Sequence, residues 1–291
     1  MTKLICDTNV FYDLGDGKLN ASDFDATAEQ MYYSPISVLE IAGKLSSATH
    51  EQRRAAAQAI LNTRAVQLPD PESFLTDLFG FELIDMPFDF GQAVEAMAQS
   101  QNMGELTSGV YDVLDRVTRK LKPEVANSWR SQIEGTWVND FLKIMKRDIQ
   151  GFDRWYSTPL SRRTRPVPRL RGAPKREFVS KTSSENWQAG VVGSILIRAT
   201  FKAKVNNPST LDLDSLRMSM HATGKLACYC NVFTEYLKRL LTEGALPQPN
   251  DSGDLELFLY SIDDANIVVT AENKWTTLAQ RAGFAHRVRK P

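Results

Sequence analysis

The sequence predicts an α/β fold whose mostly parallel sheet is closed by strands from the two ends of the chain. Three observations carry that expectation. Lys3-Leu4-Ile5-Cys6 is a short apolar run that stops abruptly at Asp7-Thr8-Asn9. Near the other end, Ile267-Val268-Val269-Thr270 is a β-branched run bounded by polar residues, and it leads into Ala271-Glu272. Between them, apolar residues recur at the three-to-four spacing of amphipathic helices. In open α/β sheets, a buried strand that delivers polar groups at its C-terminal tip is a common way to place a site. Asp, Thr and Asn also favour turns through their own hydrogen bonds, so the residues after Cys6 read equally well as a simple polar turn.

Length and composition bound the answer. A chain of 291 residues suffices for one large domain or two modest ones. Its 42% hydrophobic content is ordinary for a protein that buries a core. The formal net charge of zero implies no whole-molecule attraction to nucleic acid or membrane, which leaves only local patches. Cys228 and Cys230 form C-x-C, without the spacing or the second pair of a zinc site, and read as small buried helix side chains. Cys6 reads as core. This cysteine usage fits a reducing, cytosolic compartment. No apolar run approaches the roughly 18 residues of a membrane span. The first run is too short, and too interrupted by Lys3, for a signal peptide. There is no internal repeat and no low-complexity tract.

Taken in order, Leu14-Gly15-Asp16-Gly17 reads as a loop and Met31-Tyr32-Tyr33 as a second short apolar piece. Ser34-Pro35-Ile36-Ser37 starts a helix that runs through Val38 and Glu40 to Leu45. Ser37 followed by Glu40 matches a capping box, in which Glu40 reaches back to the Ser37 backbone. The same spacing also puts a carboxylate at the start of a helix that follows a strand. A further helix covers 51–62, and Pro69-Asp70-Pro71 stops the pattern. Helical spacing then covers 73–79, 90–100, 108–121 and 123–150. The last of these carries Val125, Trp129, Ile133, Trp137 and Phe141 in a stripe typical of core packing.

Composition changes at 154–176. No acidic residue lies between Asp153 and Glu177, and prolines and a glycine forbid a continuous helix. The segment reads as exposed, extended and basic. Arginine forks suit phosphate oxygens, so Arg162, Arg163, Arg165, Arg169 and Arg171 are candidates for contact with a nucleic-acid backbone. The competing reading is a solvated linker, or a loop paired with the chain's own acids. Trp155 and Tyr156 suit base stacking or a core role equally. Helices resume at 187–204 and 213–243, the second broken near Gly224. His221 on it reads as a packed or surface side chain. Asp254 opens a short helix over 255–260, where capping and the helix dipole favour an acid. A helix follows Glu272 as far as Arg281, and 284–288 reads as a final edge strand.

Two strand ends thus carry Asp7-Thr8-Asn9 and Thr270-Ala271-Glu272, and two helices carry Glu40 and Asp254 in their first turns. If the end strands are neighbours in one parallel sheet, four carboxylates face the crevice at its C-terminal edge. Burying such acids unpaired is costly. A divalent cation is the usual remedy, and hard oxygen ligands select Mg²⁺ or Mn²⁺. Such ions activate water and stabilise in-line displacement at phosphorus.

This set resembles the PIN-domain nucleases, including the toxin components of bacterial toxin–antitoxin pairs. Ile5-Cys6-Asp7-Thr8-Asn9-Val10 is similar to the family's opening strand, and Ser37-Val38-Leu39-Glu40 to its next helix with a glutamate. Asp254 before Leu255, with Asp251 as the fallback, fits a third acid that opens a late helix. Val268-Val269-Thr270-Ala271-Glu272 fits the fourth, with Glu where Asp is commoner. The resemblance implies a three-layer α/β/α PIN-like domain made from 1–70 and 245–291. Residues 71–244 would then be a large, mostly helical insertion that carries the basic loop. It further implies a metal-dependent endoribonuclease in which Asp7, Glu40, Asp254 and Glu272 hold Mg²⁺ or Mn²⁺, with Asn9 and Thr270 orienting them. The partners implied are RNA as substrate, an antitoxin or another protein, and a second copy of the chain, with no membrane. Two readings compete: a PIN-like RNA-binding or partner-binding protein without catalysis, which Glu272 and the insertion permit, and a DNA-directed or phosphatase-like metal enzyme.

Overall fold

The structure is a computed structural model, and it describes residues 1–43, 47–83, 89–118, 169–199, 203, 213–245, 248 and 250–291. The described strands are β1 (Thr2–Cys6), β2 (Glu29–Tyr33), β3 (Val66–Gln67), β4 (Asn266–Val269) and β5 (Val288–Arg289). They form one sheet, parallel throughout, in the order β3-β2-β1-β4-β5. The two ends of the chain therefore pair: Lys3 lies opposite Asn266, and Cys6 opposite Val269. The Asp7 N–H donates to the Val269 carbonyl at 2.9 Å and carries the ladder one residue further.

Strand β1 is central because its side chains are apolar on both faces, as a parallel strand covered on two sides requires. Alternate residues point to opposite faces. Leu4 and Cys6 join one buried cluster with Val10, Phe11 and Ile41. Ile5 joins a second with Val268, Trp275 and Leu278. Each such fully buried large side chain contributes roughly 1.5–3 kcal/mol. Helices drawn from the middle of the chain pack into the same two clusters: Val94, Met97, Leu106 and Val110 with Leu4, and Leu75, Val192, Ile195 and Val232 with Ile5.

Helix α1 (Thr8–Gly15) follows β1 directly. The polar turn after Cys6 and the loop at Leu14-Gly15-Asp16-Gly17 are corrected accordingly: the first is the start of a helix and the second its end. Turn-forming residues also begin helices, and Val10 and Phe11 supply the buried face that holds this one in place. Helix α2 (Pro35–Ala42) is capped by Ser34, whose hydroxyl accepts the Ser37 N–H at 3.2 Å. Pro35 takes the first helical position, where its missing N–H costs nothing. The capping box between Ser37 and Glu40 is therefore not formed, and Glu40 lies in the second turn rather than the first. Helix α3 (His50–Asn62) has a reciprocal box, with Thr49 accepting the Gln52 N–H at 3.3 Å and Gln52 accepting the Thr49 N–H at 3.0 Å. Asp70 caps α4 (Pro71–Leu78), so Pro69-Asp70-Pro71 ends one pattern and opens the next. Helices α5 (Gly91–Gln99) and α6 (Met103–Thr118) complete the N-terminal half.

Residues 119–168 lie outside the described residues, and with them the helix expected over 123–150, Trp155, Tyr156, Arg162, Arg163 and Arg165. Arg169 and Arg171 are described and exposed. The end of the basic segment, expected to be extended, is instead helix α7 (Gly172–Thr182). Pro174 sits in its first turn, where proline is tolerated. Helices α8 (Glu185–Ala199), α9 (Leu213–Thr223) and α10 (Ala227–Lys238) follow, and Gly224 at φ 66° separates the last two. The final strand is shorter than expected: 285–287 form a 3-10 turn, and only Val288 and Arg289 pair with β4. Cys6, Cys228 and Cys230 are buried free thiols. No helix among the described residues is long and apolar enough to cross a membrane.

At Gly15, helix α1 lies directly against the backbone of α3. A Cβ there would stand 2.6 Å from the Ala55 backbone carbon. Gly15→Ala should therefore force the helices apart and cost about 1–3 kcal/mol, the usual range for overpacking. The urea midpoint at constant slope measures this, and an unchanged midpoint would contradict the close approach.

Candidate metal centre

From β1 the chain steps to β2 and β3 on one side and later returns to β4 and β5 on the other. The carboxyl ends of β1 and β4 therefore flank the topological switch point, where open α/β sheets form a crevice. Asp7 follows β1 and Thr270 follows β4. The Thr270 hydroxyl donates to Asp7 Oδ2 at 2.7 Å and accepts the Glu272 N–H at 3.1 Å. Asn9 Nδ2, in the first turn of α1, lies 3.4 Å from Asp7 Oδ2 and 3.4 Å from Glu272 Oε1.

Glu40 reaches the same crevice from α2 and accepts a hydrogen bond from the Thr8 hydroxyl. Asp254 comes from helix α11 (Asp251–Glu256), where its Oδ2 accepts the Trp275 indole N–H at 2.8 Å and the Asn250 amide at 3.1 Å. Gly253 permits the approach of α11 to α2. A Cβ there would stand 2.6 Å from Glu40 Oε1 and 2.8 Å from Ile36 Cγ2. One carboxylate oxygen each from Asp7, Glu40 and Asp254 lies within 4.8 Å of the other two. Asp7 and Asp254 are buried and Glu40 is half-buried.

Glu272 stands beside this group rather than in it. It precedes helix α12 (Asn273–Arg281) without a side-chain cap bond, accepts the Asn250 amide at 3.2 Å and pairs with Lys274 at 3.0 Å. Asp251, the alternative third acid, is engaged elsewhere. It accepts the Tyr236 hydroxyl at 2.7 Å and the Gln248 N–H at 2.9 Å, and it forms an ion pair with Lys274. Asn250, Gly253, Lys274 and Trp275 were not singled out from the sequence, and Thr8 stood in the polar stretch after Cys6 without a role of its own. The cue for Lys274 and Trp275 was their place two and three residues past Glu272. A cation and an indole N–H at the start of that helix can both turn back into the crevice.

Burial dominates the electrostatics. It pushes Asp7 up to about 6, against the Thr270 hydrogen bond and with the help of the Glu272 charge. Burial, then the charge of Asp7, pushes Glu40 up to about 8. Asp254 is raised well above the ordinary carboxyl range by burial and by the charges of Asp7, Glu40 and Glu272. For Lys274, burial works against the charge, but Asp251, Asp254 and Glu272 outweigh it and raise the pKa. Three hard oxygen donors at this spacing, drawn together against their own repulsion, suit a small divalent cation with oxygen ligands at about 2.0–2.6 Å.

No protein-family model, no curated protein and no solved structure matches this chain.

These carboxyls bind protons more tightly folded than unfolded. Their protonated forms thus favour folding at low pH, and that contribution is lost as the pH rises from the ordinary carboxyl value through about 6 for Asp7 and about 8 for Glu40. In chelator, Glu40→Gln should therefore be more stable than the parent at pH 8 by about 1–2 kcal/mol, with the difference shrinking towards pH 5. Denaturant titrations at the two pH values check this. A parent that matches or exceeds the variant at pH 8 would show that Glu40 is not held in a repulsive, desolvated group.

Proposed function

We propose that this chain is a metal-dependent endoribonuclease with a three-layer α/β/α PIN-like domain. The convergence of Asp7, Glu40 and Asp254 at the switch point of the sheet carries the reading. The order of these acids along the chain, and their strand or helix context, agree with the PIN-type pattern in the sequence. In this reading 1–70 and 245–291 form the nuclease domain, and 71–244 is a helical insertion that bears the basic segment.

Asp7, Glu40 and Asp254 would hold Mg²⁺ or Mn²⁺. Once bound, the ion supplies positive charge to offset the carboxylates and Lewis acidity towards a phosphodiester oxygen. The chain's own groups set the geometry. Thr270 and Asn9 orient Asp7, Thr8 orients Glu40, and Trp275 with Asn250 orients Asp254. Exposed Arg169 and Arg171, with Arg162, Arg163 and Arg165 before them, would meet the phosphates of RNA. RNA, rather than DNA, follows from the likeness to toxin-type nucleases, as does the proposal of an antitoxin-like protein partner.

Purified protein should cleave labelled RNA in Mn²⁺ and stop on chelation. Asp7→Asn should lower the rate by roughly 10²–10³-fold, the scale of several kcal/mol of lost charge stabilisation. Cleavage that survives Asp7→Asn, or that ignores chelator, would overturn the assignment. The basic segment has a separate readout. Replacing Arg169 and Arg171 by Ala should flatten the salt dependence of RNA binding by about 0.7 in log–log slope per lost contact. An unchanged slope would remove these arginines from the interface.

A further inference from the structure

We infer that Lys274 stands in for a second metal ion, so that the centre takes one divalent cation rather than a pair. The inference rests on the metal-centre reading proposed above. Two-ion phosphodiesterase centres place the ions about 3.5–4 Å apart as a clamp on one displacement. Here the first position would be set by Asp7, Glu40 and Asp254. Among the described residues, the acids that adjoin this group through Lys274 are Glu272 and Asp251, and both are engaged by its ammonium. Its Nζ forms an ion pair with Asp251 Oδ1, lies 3.0 Å from Glu272 Oε2 and stands 3.8 Å from Asp254 Oδ2.

The ammonium is held firmly there. The Lys274 side chain is 12% exposed, and its Nζ sits 4.6 Å from the centroid of the Trp275 ring. Its principal partner, Asp251, is itself fixed by the Tyr236 hydroxyl and the Gln248 N–H. A divalent ion held by Glu272 would compete with this ammonium for the same carboxylate, and the two positive charges would repel. A lysine charge is fixed to the chain, so it performs the neutralising part of a second ion's role without depending on ion concentration.

The test is a titration of the full-length protein with Mn²⁺, counting bound ions from the loss of the free-ion electron paramagnetic resonance signal. The parent should bind one Mn²⁺ per chain. Lys274→Gln, which removes the ammonium from Glu272 and Asp251, should bind two, and Lys274→Arg should return the count to one. Glu272→Gln should still bind one, with affinity within about tenfold of the parent. Two ions in the parent, falling to one in Glu272→Gln, would overturn the inference while leaving the metal-centre reading intact. A folded Lys274→Gln that still binds one ion would also overturn it. A folded parent that takes up no Mn²⁺ would overturn the metal-centre reading and the inference with it. If Lys274→Gln fails to fold, the counts for the parent and Glu272→Gln decide between one ion and two.

Discussion

The carboxylates from the two ends of the chain meet through one long-range pairing, the parallel ladder between β1 and β4. Closing a loop of nearly the whole chain costs entropy, but that cost grows only with the logarithm of loop length. It is offset because β1 is buried on both faces, with Leu4 and Cys6 in one cluster and Ile5 in the other. The closure also brings the ends of the two strands together, so that Thr270 meets Asp7 across the ladder. Without it the polar residues after Cys6 are only the first turn of a helix.

The second constraint is repulsion among the acids that closure assembles. Each one receives its hydrogen bond from a different element. Asp7 takes one from the residue after β4, Glu40 from the first residue of α1, and Asp254 from the indole on α12. The site is thus a set of cross-ties between elements that are remote in sequence. The N-termini of α1 and α12 also point their positive ends towards the crevice, which favours negative charge there. Lys274 adds the side-chain cation, bridging Asp251 and Glu272.

The α/β class and the pairing of the chain ends were legible because β1 and β4 are dense in Leu, Ile and Val and each stops at a polar residue. Strands β3 and β5 were not, since a two-residue strand has no periodicity and exists only through its neighbours. Helix α1 was hidden because the residues that start it are also turn residues. The error at Ser37 is instructive. Ser34 and Ser37 both suit a cap, and Pro35 at the first helical position was the deciding signal. In the site, the sequence favoured Asp254 but left Asp251 standing as the fallback. Tertiary packing separates them, sending the first towards Glu40 and the second to Tyr236 and Lys274. Lys274 was obscure for the same reason, since its partner Asp251 lies on another helix.

Both outer strands of the sheet, Val66–Gln67 and Val288–Arg289, are only two residues long among the described residues. A parallel sheet built around such apolar central strands would be a hazard with long flat edges, because unpaired amides template the addition of foreign strands. Here the borders are too short to offer a register. Among the described residues, the fold thereby keeps its most adhesive strands in the interior of the sheet.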